Sequence, residues 1–174
     1  IRPYKYIASI IIRPYTNQNG ESMNTHDAML SRIEGVSIGR KNLIAGFWAM
    51  AGFMFLGFVL VYLRDFAPGA ADWAAQYGTG RHFETRLAHV HGTLFGFLNV
   101  VVGYLLFHVE ICKKGARIIS LAALLGLLMP VGILGEVLLG LSPIFVLVGA
   151  TSMTFSMFLF GLTLFKHRNV QEGG

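Results

Sequence analysis

Four long apolar segments, a composition that is 54% hydrophobic with only 13% charged residues, and cations gathered at alternate segment ends predict an all-α, integral membrane four-helix bundle. The mean hydropathy of +0.59 belongs to chains that sit in lipid. Each apolar segment is close to the roughly 20 residues that a helix needs to cross a bilayer.

Residues 1–42 read as a cytoplasmic N-terminal segment. Before Met23 there is little periodicity, and Asn19-Gly20-Glu21-Ser22 fits a translated ribosome-binding region, because Gly-Glu codons can spell a purine-rich stretch. On that expectation, the residues upstream of Met23 are not native. Thr25 to Gly35 is expected to form a short interfacial helix, with Met29, Leu30 and Ile33 on one side and Gly35 as its stop signal. The four spans follow at Leu43 to Leu63, Leu87 to Phe107, Ile118 to Leu141 and Pro143 to Phe165, giving a transmembrane domain over 43–165 and a cytoplasmic tail over 166–174. The first span begins only at Leu43 and the later ones are as apolar, which excludes a signal peptide or a lone anchor.

The net charge of +5 reports orientation and not nucleic-acid binding. Arg40 and Lys41 precede the first span, Lys113, Lys114 and Arg117 separate the second and third, and Lys166 and Arg168 follow the fourth. Both termini are therefore expected on the cytoplasmic side of a multi-pass protein of the inner membrane. The 64–86 loop balances Arg64, Arg81 and Arg86 against Asp65, Asp72 and Glu84, as a non-cytoplasmic loop does, and Leu141-Ser-Pro143 makes a tight outer turn. A single cysteine, Cys112, excludes an internal disulfide and any multi-cysteine metal cage.

Ionisable groups inside a membrane are costly and mark function. The second span carries two, His89 and His91. At about 100° per residue, His89 shares a face with Gly92, Gly96, Asn99 and Gly103, whereas His91 points away beside Phe95, Leu98 and Val102. The two histidines cannot both face one site. The glycine stripe admits either a neighbouring helix or a flat cofactor to the backbone. In the third span Pro130 is expected to kink the helix ahead of Glu136. Counted from the span ends, His89, His91 and Glu136 share one depth toward the outer side. Glu136 reads equally as a catalytic or ligand group and as a structural partner of Arg86 or a histidine.

Small residues at Gly46, Gly57, Gly149, Ser152 and Ser156 read as close helix packing, and Met50, Met54, Met153 and Met157, whose thioethers could ligate a soft metal, read as core filling at helical spacing. His26, His108 and His167 read as surface residues. His82, in Arg81-His-Phe-Glu84, is placed to fold over the outer site.

Ala88-His-Val-His-Gly-Thr-Leu-Phe-Gly96, opening a helix that runs through Gly103, resembles the haem-bearing helix of small membrane proteins related to subunit I of haem-copper oxidases. The resemblance implies haem b on His89 or His91. The copper-ligand histidines of a full oxidase are missing, so oxygen reduction and proton pumping are not implied. The chain also resembles the styrene oxide isomerase family, small four-helix membrane proteins that bind haem b through a histidine near the start of the second helix. Pro68, Gly69 and Trp73 in the loop, then Ala-His, then Asn99, carry that likeness. That family has a tyrosine and an aspartate on its third helix, where Glu136 is the polar group available here.

The leading expectation is therefore a haem b membrane protein, its iron held by His89 or His91 and its macrocycle lying on Gly92, Gly96 and Gly103. Glu136 and Asn99 would be the catalytic groups for Lewis-acid chemistry of isomerase type on an apolar substrate, or a second axial ligand would make the protein an electron carrier. The alternatives are a non-catalytic subunit of a larger membrane complex and a copper or zinc site built from His89 or His91 with Glu136 and His82. The bilayer is the expected partner under every reading, with a homo-oligomer or a larger complex around it.

Overall fold

The computed structural model describes the backbone of residues 25–109 and 111–172, and the side chains of residues 38–109 and 111–165. The expectations for the stretch before Met23, for the side chains of His26 and His167, and for the cations of the tail fall outside those residues.

Helix α1 runs from Thr25 to Asp65 without a break. Gly35 does not end it, so the expected separate interfacial helix is instead the first turns of the spanning one. A glycine stops a helix when the chain enters the left-handed region, and the positive-φ residues lie elsewhere, at Gly69, Gly80 and Gly140. Gly69 turns the chain into a short helix, α2 (Ala70–Ala75), and Gly80 begins α3 (Gly80–His108). The third span is two helices, α4 (Lys113–Gly126) and α5 (Leu128–Leu139), and α6 (Ile144–Glu172) is the fourth. The stretches long and apolar enough to cross a membrane are Ile38–Asp65, Gly80–His108, Lys113–Leu139 and Ile144–Phe165. This is the architecture of a multi-pass, four-helix membrane protein.

Pro130 accounts for the break in the third span. It lacks the N–H that the preceding turn needs, and Leu127 N–H turns back to Leu124 at 3.1 Å while Val131 reaches Leu127 only at 3.4 Å. The bend is filled from α6: a β-carbon on Gly149 would stand 2.1 Å from the backbone nitrogen of Met129. Gly140, at φ 65°, then closes α5 as its left-handed cap, and its N–H bonds the Glu136 carbonyl at 3.0 Å. The tight turn at 141–143 follows directly.

A buried polar knot joins three spans. Asn42 Nδ2 donates to Asn99 Oδ1 at 2.9 Å and to the Ser120 carbonyl at 3.1 Å, and Ser120 Oγ donates back to Asn42 Oδ1. Asn99 Nδ2 donates to the carbonyls of Phe95 and Ala123 at 3.0 and 2.9 Å. Ser156 Oγ ties α6 to the Ile119 carbonyl at 2.8 Å. Asn42 and Asn99 are fully buried, and each amide spends its donors on protein acceptors, the condition for burying an amide away from water.

Candidate functional site

The glycine stripe of α3 is where α1 crosses it. A β-carbon on Gly96 would meet the Gly46 carbonyl oxygen at 3.0 Å, one on Gly103 the Gly39 carbonyl oxygen at 2.7 Å, and one on Gly92 the Phe53 ring at 2.1 Å. Gly39, Gly46 and Phe53 recur every seven residues and face Gly103, Gly96 and Gly92 in an antiparallel register. The stripe is thus covered by helix backbone and one aromatic ring. The expectation that a macrocycle lies on Gly92, Gly96 and Gly103 is corrected, because close helix packing already uses that face.

His89 lies beyond Phe53 at the Gly57 end of this seam. Its Nδ1 sits 2.5 Å from the Phe53 carbonyl oxygen, and since a carbonyl only accepts, Nδ1 carries the proton. The approach is possible because Gly57 has no side chain: a β-carbon there would stand 2.8 Å from His89 Cε1. A neutral imidazole anchored through Nδ1–H keeps its lone pair on Nε2, the arrangement that orients a histidine as a metal ligand. Thr93 Oγ1 donates to the His89 carbonyl at 2.9 Å. His89 lines a groove of about 670 Å³, walled by Met50, Met54 and Phe58 of α1 and by Val90, Leu94 and Phe97 of α3. Met54, Phe58, Val90, Leu94 and Phe97 are exposed, so the groove opens sideways on the face that would meet lipid or a second subunit.

The other expected site residues are not gathered there. His91 turns away from the groove, as the helical count requires: Nδ1 bonds the Leu87 carbonyl of its own helix at 2.9 Å and the ring meets Phe95 edge-on. Asn99 shares the His89 face but is consumed by the knot, with both amide protons committed to carbonyls, so it has no donor for a substrate. Glu136 is exposed near the end of α5, and among the described residues no hydrogen bond or ion pair joins it to Arg86, His89 or His91. Arg86 instead bonds the Tyr77 carbonyl at 2.9 Å and lies over the Tyr77 ring.

His82 is not a surface residue. It is 2% exposed, stacked on Trp73 at 4.9 Å, and bonds the Trp73 carbonyl at 2.8 Å. It pins α2 to the start of α3. No group of three or more His, Cys, Asp or Glu is assembled among the described residues, so the copper or zinc reading lacks its ligand set.

One residue of the knot was not singled out by the sequence, and two of the groove were read as packing. Met50 and Met54 look like core filling at helical spacing, yet they line the groove beside His89. Asn42 follows Arg40 and Lys41 and reads as a polar flank, yet it is fully buried. The available signal was Asn99, since an asparagine within an apolar span requires a polar partner on a neighbouring span. No family model, curated protein or solved structure matches this chain.

Proposed function

We propose that this protein binds haem b in the α1/α3 groove through His89 Nε2. The observation that carries the reading is the His89 geometry: Nδ1 is anchored on the Phe53 carbonyl, and Nε2 has no hydrogen-bond partner among the described residues, beside an apolar groove of about 670 Å³. One protein nitrogen in an apolar groove suits a metal that brings its remaining ligands with it, as a tetrapyrrole does. The residues fit haem at this groove and do not fit it along the glycine stripe. Bound there, haem supplies a Lewis-acidic, redox-active iron.

The chain's own residues then have defined tasks. The Phe53 carbonyl fixes the imidazole's tautomer and direction, and Gly57 leaves room for the ring. Met50, Met54, Phe58, Leu94 and Phe97 keep water from the iron, and the sideways opening admits an apolar substrate from the bilayer. This supports isomerase-type Lewis-acid chemistry, without Asn99 or Glu136 in the reacting layer. Met50 and Met54 favour a second reading: if either thioether served as a further protein ligand, the group would supply electron-transfer chemistry instead.

The orientation we infer has both termini in the cytoplasm of an inner-membrane protein, because Arg40, Lys41, Lys114 and Arg117 lie at one end of the spans. The open side of the groove supports a homo-oligomer or a place in a larger membrane complex.

The test is the absorption spectrum of detergent-purified protein from haem-replete cells, with haem measured as its pyridine complex. About one haem per chain and a Soret band are expected. A colourless protein from such cells would end the haem reading and favour the non-catalytic subunit.

A further inference from the structure

The α1/α3 groove has one polar rim. Met50, Met54 and Phe58 wall it as every fourth residue of α1, and Tyr62 is the next on that ridge. Leu94 and Val90 wall it from α3, where the same spacing leads on to Arg86. Gly57 faces His89, with Tyr62 five residues beyond the first and Arg86 three before the second, so in the antiparallel register the two stand within about 3 Å of one level along the helices. At the opposite rim the ridges run on through Gly46 and Val101, which offer no polar side chain.

Arg86 carries a charge that the described protein does not neutralise. It lies six residues inside the span that begins at Gly80, and it is half-buried. Its Nη1 donates to the Tyr77 carbonyl at 2.9 Å and its guanidinium lies 3.7 Å from the centre of the Tyr77 ring, but it forms no ion pair with any described residue, Glu84 of its own helix included. One contact with Tyr77 holds the head in place and leaves most of the donor fork unspent. The Tyr62 hydroxyl likewise bonds no described residue. A cation inside an apolar span is costly until an anion meets it.

Resting on the haem reading of this groove, we propose that Arg86, with the Tyr62 hydroxyl, binds a propionate carboxylate of the haem held by His89, and so sets which edge of the macrocycle faces α2. Haem b carries a pair of propionates, and a carboxylate laid against Met54, Phe58, Val90 or Leu94 would be stripped of water with no donor in exchange. The rim at Arg86 and Tyr62 supplies donors. A guanidinium matches a carboxylate in charge and in the spacing of its N–H groups, and the phenol adds an O–H.

The test titrates the haem-free, full-length chain in detergent with haem and with haem dimethyl ester, in which both carboxylates are capped, following the Soret band. Partition of the ester into micelles is common to all variants, so the ratio of the two affinities is compared between them. Arg86→Gln is expected to lower the haem-to-ester ratio about tenfold, the scale of a charge-assisted hydrogen bond, while affinity for the ester holds. Arg86→Lys should keep most of the ratio because it keeps the charge, and Tyr62→Phe should lower it less than Arg86→Gln does. A ratio unchanged in Arg86→Gln, or haem and ester affinities falling together, would overturn the proposal, leave Arg86 as an anchor for the Tyr77 segment, and leave the haem reading standing. A wild type that takes up neither compound would overturn both.

Discussion

The imidazole of His89 lies against the bare α-carbon of Gly57, where a β-carbon would stand 2.8 Å from Cε1 and 3.3 Å from each ring nitrogen. Gly57→Ala should therefore push the ring off the Phe53 carbonyl while leaving the helix intact. Losing one such hydrogen bond costs about 1 kcal/mol, so haem affinity is expected to fall about fivefold. Haem titration beside circular dichroism checks this, and an unchanged affinity would mean that Gly57 does not set the ring.

Glycine positions should divide sharply in stability. At Gly149 the obstacle to a methyl group is the Met129 backbone, and at Gly92 it is the Phe53 ring; Gly52 has nothing within 4 Å. Overpacking of this kind costs about 1–3 kcal/mol, beyond the roughly 1 kcal/mol that alanine gains in a helix. Thermal unfolding in detergent should show both Gly149→Ala and Gly92→Ala clearly destabilised, the latter because the root of the buried Phe53 ring stands in the way. Gly52→Ala should be neutral or stabilised.

Asn99→Ala would leave one Asn42 Nδ2 proton, its other still held by the Ser120 carbonyl, and the Ala123 carbonyl without the Asn99 amide in a buried place. A loss of about 2 kcal/mol is expected, since each membrane-buried hydrogen bond contributes on the order of 0.6 to 2 kcal/mol. The absorption spectrum of the surviving folded fraction should not change. A variant of native stability with altered chemistry would return Asn99 to a catalytic role.

The number of spans, their approximate limits, the break at Pro130 and the opposed directions of His89 and His91 were all legible in the sequence. Each follows from local chain properties: apolar length, a missing N–H, or about 100° per residue. What lies across a helix face was not legible. The glycine face of α3 is equally open to a cofactor or a helix until Gly39, Gly46 and Phe53 of α1 are seen against it. The position of Glu136 along its span can be counted from the sequence, but the direction of its side chain depends on how α5 turns after the break. Asn42 looked like part of a charged flank because nothing local shows that Asn99 and Ser120 enclose it.

Topology has a direct reporter in the lone, exposed Cys112. A membrane-impermeant maleimide should label it only after cells are opened. In a Cys112→Ser background, Gly78→Cys should be labelled in intact cells. The reverse pattern would invert the orientation.

The central claim is that His89, and not His91, holds haem, and it is tested by comparing oxidised and dithionite-reduced spectra of the wild type, His89→Ala and His91→Ala. The Soret band should vanish in His89→Ala, return on adding imidazole, and persist in His91→Ala. A band that survives in His89→Ala, or one that is lost only in His91→Ala, would contradict the account.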